Sequence, residues 1–230
     1  GISTIEEIRE GLLKFKESGK FIIAYSDMYT QSAYYLVSVA DKVYLTPEGA
    51  LNWLGLSSEV LFFKNSLEKL GINAEIIKEG EYKGAPESFM YEKLSKENRA
   101  QIEAYTGSIW NHMVEKIASA RNLNVDTLNY LANNLLVING ESALKSGMID
   151  GLKYFDEMLA ELKELTETPD KDDLKTISMK KYTKVPVIRK EKGLQKDKIA
   201  VVYASGSIIT GDNEGDIISS DRFARAIRKA

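Results

Sequence analysis

Short apolar runs alternate with helix-forming patterns along roughly the first two thirds of the chain, and this alternation limits the possible folds more than any other feature. Buried strands are predicted where apolar residues form short runs, at residues 21–25, 42–45 and 73–77. The second run is followed by Pro47 and Gly49, which predict its end, and residues 148–150 lead into a further extended segment. Strands that alternate with helices are typical of α/β proteins, so the sequence predicts an α/β fold.

Helix-forming patterns fill the segments between these runs. A capping box at Ser3 and Glu6 predicts the start of the first helix, and Gly19 predicts its end. Further helices are predicted at residues 30–40, 57–70 and 95–121, after Asn124, and as a single turn at 141–146. For the helix at 57–70, the adjacent serines at 57 and 58 are the candidate caps and Gly71 is the candidate stop.

The alternation ends near residue 166. Residues 166–196 are rich in Lys, Asp and Thr, include two prolines and show weak periodicity, which predicts a connector on the surface. A buried-strand pattern follows at residues 198–204, and Ser220 is expected to cap a helix that continues to the last residue. We therefore predict a domain at 1–165, a linker at 166–197 and the beginning of a second domain at 198–230.

Composition excludes several classes of function. The net charge of −3, from 31 Lys and Arg against 34 Asp and Glu, lacks the basic excess that nucleic-acid binding requires. The absence of Cys excludes a disulfide, a thiolate nucleophile and a Cys-ligated zinc, and one His excludes a multi-His metal site. No apolar run reaches the roughly 18 residues of a membrane-spanning helix. The chain does not begin with Met, so we expect a piece of a longer protein.

Lys83 is the first candidate for chemistry. It lies between glycines and before a proline, directly after the third predicted strand, where a lysine is most often a solvated charge. Burial among Tyr82, Ala85, Pro86 and Phe89 would instead favour the neutral amine. A neutral lysine can take a proton from a serine hydroxyl, as in the Ser-Lys variant of nucleophilic catalysis. The residues alone favour the solvated charge and leave the catalytic interpretation open.

Three other segments carry residue types that could take part in chemistry. Thr30 and Ser32 lie where a predicted strand turns into a helix, a position that suits a nucleophile or simply a polar helix cap. His112 is expected on a partly buried face of the long helix, in a structural role, because nothing in the sequence brings it a serine and a carboxylate. Residues 206–211 lack the lysine of a phosphate-binding loop, so no phosphate site is predicted.

Taken together, several stretches resemble the long, tandem-domain form of the signal peptide peptidase A (protease IV) family. Residues 29–36 and 40–47 resemble the core of that family's first repeat, and residues 80–89 resemble the segment that carries its catalytic lysine. Residues 141–150 resemble an element of the wider ClpP/crotonase fold, and residues 198–206 resemble the first strand of the second repeat. The resemblance implies a ClpP/crotonase-like ββα superhelix, with the first repeat largely present apart from its opening strands and the second repeat truncated.

The resemblance also assigns roles to individual residues. Lys83 occupies the position of the family's general base, and the serine nucleophile belongs to the second repeat, beyond Ala230. In the matching turn of the first repeat, Gln31 stands where that serine would fall and Ser32 is offset by one residue. A nucleophile has to be aligned closely with its oxyanion donors, so this offset argues against Ser32. No metal, nucleotide or other cofactor is implied.

The function implied is a portion of a membrane-associated serine endopeptidase that uses a Ser-Lys dyad to degrade cleaved signal peptides. The implied substrates are signal-peptide remnants and other extended apolar peptides, and the implied assembly is a homo-oligomer. The resemblance also implies attachment to a bacterial inner membrane through an anchor before Gly1, with the catalytic domain on the extracytoplasmic side. Two alternatives are a non-catalytic scaffold that assembles the oligomer and binds peptide, and, by fold analogy alone, a crotonase-type acyl-CoA enzyme. The isolated fragment is expected to be inactive.

Overall fold

A computed structural model describes residues 1–186 and 200–229 of the chain. The chain forms two compact units, residues 1–174 and residues 175–230. The helices of the first unit are α1 (Ile2–Glu17), α2 (Gln31–Val37), α3 (Lys64–Lys69), α4 (Glu87–Met90), α5 (Lys96–Arg121), α6 (Val125–Asn133), α7 (Gly140–Lys145) and α8 (Phe155–Leu165). Its strands are β1 (Ile23–Tyr29), β2 (Lys42–Leu51) and β3 (Gly151–Leu152). Strands and helices alternate from α1 to β2 as the sequence predicts, and the helices α3 to α7 then follow before β3.

The three strands form one parallel sheet in the order β1-β2-β3. Ile23 lies opposite Lys42 where β1 meets β2, and Tyr44 lies opposite Gly151 where β2 meets β3. Helix α2 makes the connection between β1 and β2, as parallel strands require. The α/β prediction is confirmed, and the ββα superhelix stays a prediction.

Strand β2 is longer than the sequence predicts, because it continues through Pro47 and Gly49 to Leu51. The pairing of β1 with β2 explains the difference, because Ser26 lies opposite Leu45 and Met28 opposite Ala50, so residues 46–49 of β2 bulge opposite the single residue Asp27 of β1. A bulge of this kind tolerates the missing N–H of a proline. It also brings backbone close to Gly49, where a Cβ would lie 2.8 Å from two carbonyl oxygens. The prediction that the strand ends at this Pro/Gly pair is therefore wrong.

Trp53 lies at the centre of the core of the first unit. Its ring packs edge-on against Tyr34, with ring centroids 6.2 Å apart, and lies 4.8 Å from the ring of Trp110. Its indole Nε1 donates a 2.8 Å hydrogen bond to the carbonyl of Leu128, so the buried polar atom is paired. The surrounding core residues come from β2, from α5 and α7 and from the segments that follow α6 and α7, and include Val43, Leu45, Leu51, Met113, Val114, Ile117, Val137, Ala143 and Met148.

Three helix starts are confirmed by their capping bonds. The Thr30 hydroxyl accepts from the N–H of Ala33 at the start of α2, and the Ser95 hydroxyl accepts from the N–H of Asn98 at the start of α5. Asn124 caps α6 in the same way, through the N–H of Asp126. Such caps are local, so the sequence was sufficient to find them.

The capping box predicted for α1 is wrong. The N-cap is Gly1, two residues before the predicted Ser3, so the helix begins at Ile2, and Gly1 makes no side-chain capping bond. Glu6 is used elsewhere, because its carboxylate accepts a hydrogen bond from the hydroxyl of Tyr35 in α2. Burial opposes ionisation of Glu6, but the bond from Tyr35 and the nearby His112 lower its pKa below the usual value.

The segment between β2 and α5 differs most from the prediction. The helix predicted at 57–70 is reduced to α3, and neither of the predicted serine caps begins it, although Gly71 follows its end with a positive φ of 69°. No strand forms at residues 73–77, and the side chain of Ile77 is 100% exposed. An apolar run becomes a strand only beside a partner, and among the described residues none pairs with this one.

The second unit contains α9 (Met179–Tyr182), β4 (Ser207–Ile209), β5 (Ile217–Ser219) and α10 (Ser220–Lys229). Strands β4 and β5 are parallel, and α10 begins at the predicted Ser220. The buried strand predicted at 198–204 is wrong for residues 200–204, which form no strand and include a Tyr203 that is 88% exposed. Residues 198 and 199 lie outside the described residues. The division at 165/166 and 197/198 stays a prediction.

Within the part of the chain that the structure describes, no helix combines the length and the apolar character that crossing a membrane requires.

Candidate active site

Lys83 lies in a tight turn of the backbone between the extended residues 72–79 and helix α4. We call residues 80–86 the Lys83 turn. Two backbone hydrogen bonds shape it, from the N–H of Lys83 to the carbonyl of Gly80 (3.5 Å) and from the N–H of Gly84 to the carbonyl of Tyr82 (3.1 Å). The N–H of Glu87 then donates to the carbonyl of Gly84 (3.0 Å), which joins the turn to the first residue of α4.

The side chain of Lys83 is exposed, so the burial among Tyr82, Ala85, Pro86 and Phe89 that would favour a neutral amine does not occur in this chain. Tyr82 and Phe89 are themselves exposed and do not cover the amine. Lys83 instead lines a shallow open pocket of about 420 Å³ together with Ile77, Lys78, Glu79, Tyr82, Gly84, Ala85 and Pro86. The described residues hold the backbone of the turn and leave the amine open to a partner.

A buried carboxylate, which the sequence analysis did not single out, lies directly after the Lys83 turn. Glu87 has a side-chain exposure of 0% and receives hydrogen bonds from Lys78 Nζ (2.9 Å), the Ser95 hydroxyl (2.6 Å), the Ser95 N–H (3.1 Å) and Asn98 Nδ2 (3.1 Å). Burial alone would raise the pKa of Glu87, but the bonds from Ser95, Lys78 and Asn98 outweigh it and lower the pKa to about 2. The carboxylate is therefore ionised at neutral pH.

Gly84 has a steric reason to be glycine. A Cβ at this position would overlap the side-chain amide of Asn98, which is buried and bonded to Glu87. Glycine at position 84 therefore lets the backbone approach the polar residues around Glu87 closely.

Gln31 occupies the position where the resemblance would place a serine, and its side chain hydrogen-bonds to the backbone of residues 54 and 55. Its side-chain oxygen accepts from the N–H groups of Leu54 (3.2 Å) and Gly55 (3.0 Å), and its Nε2 donates to the carbonyl of Gly55 (3.0 Å). Ser32 is the next residue of α2 and is exposed. Among the described residues, no hydrogen bond joins Ser32 or Thr30 to Lys83. The structure thus gives this turn a structural role.

His112 is more exposed than expected, with 48% of its side chain accessible. Its Nε2 lies 3.5 Å from a carboxylate oxygen of Glu6, and its ring is 6.4 Å from that of Tyr35. These neighbours link α5 to α1 and α2, in agreement with a structural role. Within residues 1–186 and 200–229, no three His, Cys, Asp or Glu side chains are grouped so that they could hold a metal ion.

Comparison with known proteins gives the class. Residues 14–168, more than half of the chain, match the model of Peptidase family S49. The chain is 32% identical to Protease 4 of Haemophilus influenzae over 237 residues, which cover 100% of this chain and 38% of that protein. It is 27% identical to Protease 4 of Salmonella typhi over 232 residues, covering 97% of the chain and 37% of the relative. It is 28% identical to the chloroplastic serine protease SPPA of Arabidopsis thaliana over 209 residues, covering 90% and 31%.

The α/β fold and these relatives define the class as that of the serine proteases, which are hydrolases. The chain belongs to peptidase family S49. The resemblance to the signal peptide peptidase A (protease IV) family is confirmed. The chain spans little more than a third of the length of its relatives from Haemophilus and Salmonella, and 31% of the one from Arabidopsis.

Proposed function

We propose that this chain is a portion of a membrane-associated serine endopeptidase that degrades cleaved signal peptides with a Ser-Lys dyad. Lys83 supplies the general base, and the nucleophilic serine lies beyond Ala230. The observation that carries the proposal is the match to peptidase family S49 over residues 14–168, which include the Lys83 turn. The proposed architecture is the ClpP/crotonase-like ββα superhelix, with this chain holding most of a first repeat and the start of a second.

In the proposed reaction, the neutral amine of Lys83 takes the proton from the serine hydroxyl while the serine oxygen attacks the peptide carbonyl carbon. The tetrahedral intermediate collapses, the C–N bond breaks, and the lysine returns its proton to the leaving amine. Water then hydrolyses the acyl-enzyme by the same route. Lys83 is exposed in this chain, so the proposal requires that the serine-bearing part of the protein, or another copy, cover the amine and favour its neutral form.

The proposed substrates are signal-peptide remnants and other extended apolar peptides. Apolar side chains that are exposed around the Lys83 turn, among them Ile77, Tyr82 and Phe89, support a preference for apolar chains. A homo-oligomer, an anchor outside these residues, and a catalytic domain on the extracytoplasmic side of a bacterial inner membrane complete the proposal. These three features rest on the resemblance alone.

The proposal is tested with the full-length protein and a chromogenic ester of an apolar peptide. We expect turnover that a serine-reactive fluorophosphonate abolishes, and no detectable turnover by the isolated 230-residue chain. Binding of an acyl-CoA thioester in an equilibrium titration, without ester hydrolysis, would favour the crotonase-type alternative. Turnover by the isolated chain that disappears in Ser32→Ala would show that the nucleophile had been assigned wrongly.

A scaffold without catalytic function is the second candidate, and two observations favour it. Gln31 fills the first-repeat turn with a structural hydrogen-bond network, and Lys83 is exposed to solvent. Substitution of Lys83 in the full-length protein separates this candidate from the proposed enzyme.

A further inference from the structure

The side chain of Glu87 binds residues on both sides of the Lys83 turn. Lys78 lies before the Lys83 turn, and Ser95 and Asn98 lie after it, at the start of α5. All three donate hydrogen bonds to the buried carboxylate of Glu87, at distances between 2.6 and 3.1 Å. We call these four residues the Glu87 cluster. Because the ion pair of Lys78 with Glu87 encloses residues 79–86, the Lys83 turn is a closed loop.

The cluster also contacts the turn itself. The N–H of Glu87 donates to the carbonyl of Gly84, the residue next to Lys83, at 3.0 Å. The Cα of Gly84 lies against the amide of Asn98 so closely that no side chain fits between them. A shift of the Glu87 carboxylate or of Asn98 would therefore move Gly84, and Lys83 with it.

A carboxylate suits this position better than any neutral group. Its two oxygens accept four hydrogen bonds here, two on each oxygen, and every donor comes from Lys78, Ser95 or Asn98. A glutamine has a single acceptor oxygen, and its NH₂ group would face donors on the other side. The side chain is completely buried, so water cannot replace a lost partner at that oxygen.

We propose that Glu87 is a positioning residue for the catalytic reaction, which fixes the Lys83 turn so that the amine meets the serine in the reactive geometry. This inference rests on the proposed function, because it gives Glu87 a role only if Lys83 is the base. Glu87 touches neither the substrate nor the serine in this role. It acts through the backbone of Gly84 and through the closure of the loop.

Substitution of Glu87 should lower kcat and leave KM unchanged, because it misplaces the base and keeps the contacts with the substrate. In Glu87→Gln, we expect kcat to fall about tenfold or more, since a misplacement of about 1 Å can cost on the order of 100-fold. We expect KM for the peptide ester to stay within about twofold, as for the loss of an interaction that acts only in the transition state.

The experiment measures kcat and KM of the full-length enzyme per folded molecule, at a temperature where circular dichroism shows each variant folded. Glu92→Gln is the matched control, because Glu92 is an exposed carboxylate outside the Lys83 turn, between α4 and α5, and it should behave as the wild type. If Glu87→Gln does not fold, Lys78→Gln replaces it, since it opens the loop and leaves Ser95 and Asn98 on the carboxylate. For Lys78→Gln we expect a smaller fall in kcat, again with KM unchanged.

Two results would overturn the inference. One is a kcat of the folded variant equal to that of the wild type, and the other is a fall in kcat that Glu92→Gln reproduces. Lys83→Ala, measured beside them, separates this failure from that of the proposed function. An inactive Lys83→Ala with a fully active Glu87→Gln rejects only the positioning role, whereas an active Lys83→Ala rejects the proposed function as well.

Discussion

Replacing Lys83 by alanine in the full-length protein is expected to lower kcat/KM for an apolar peptide ester by about 1,000-fold. General-base catalysis typically contributes about 100-fold to about 10,000-fold. The alanine cannot take the proton of the serine hydroxyl. Among the described residues that line the pocket, the one other amine is that of Lys78, whose Nζ is ion-paired with a carboxylate oxygen of Glu87 at 2.9 Å. The measurement is steady-state hydrolysis at several ester concentrations.

Lys93→Ala is the matched control for this prediction. Lys93 is an exposed lysine ten positions further along the same segment, so its removal makes the same change in net charge. The control is expected to hydrolyse the ester as the wild type does. Full activity of Lys83→Ala would support the scaffold and contradict a base at this position.

Replacing Trp53 by alanine is expected to lower the free energy of unfolding by about 3–5 kcal/mol, as for other large aromatic residues removed from a core. Trp53 is completely buried, packs against Tyr34 and Trp110, and leaves the carbonyl of Leu128 without its donor when it is removed. Urea denaturation of the 230-residue chain, followed by far-ultraviolet circular dichroism, measures the loss. Many single domains have stabilities of only about 5–15 kcal/mol, so the first unit becomes marginal.

Tyr105→Ala is the control for Trp53→Ala, because it removes an aromatic side chain from an exposed position on α5. We expect its effect to stay within about 0.5 kcal/mol, as for surface substitutions. Equal losses in the two variants would show that Trp53 does not occupy the centre of the core.

The sequence was sufficient where structure depends on neighbouring residues. Thr30, Ser95 and Asn124 each cap the predicted helix through bonds to residues two or three positions away. The sequence was insufficient where tertiary contacts decide. Glu6 was expected to cap its own helix and bonds instead to Tyr35, 29 positions away. Residues 73–77 have the apolar pattern of a strand, but a strand also requires a partner.

The candidate site was likewise predicted only in part from the sequence. The residues alone favoured a solvated loop lysine at position 83, and the exposed side chain agrees with that interpretation, while the resemblance alone assigned the base. Glu87 was missed because an acidic residue after Pro86, at the start of a short helix, is ordinarily a solvated one. Its burial depends on Lys78, Ser95 and Asn98, which the sequence does not place around it. The sequence of residues 78–98 offers no signal that would have identified Glu87 as buried.

The central claim is that an amine at position 83 performs the chemistry, and chemical restoration of that amine tests it most directly. The 230 residues contain no Cys, so Lys83→Cys introduces into this part of the protein one thiol that can be alkylated. Treatment with bromoethylamine converts it into a lysine analogue with an amine in nearly the same place, whereas iodoacetamide gives a neutral side chain. We expect the full-length Lys83→Cys protein to be inactive, to recover peptide-ester hydrolysis after aminoethylation, and to stay inactive after treatment with iodoacetamide. Complete aminoethylation of Cys at position 83 without recovery, or equal recovery with both reagents, would contradict the assignment of Lys83 as the base.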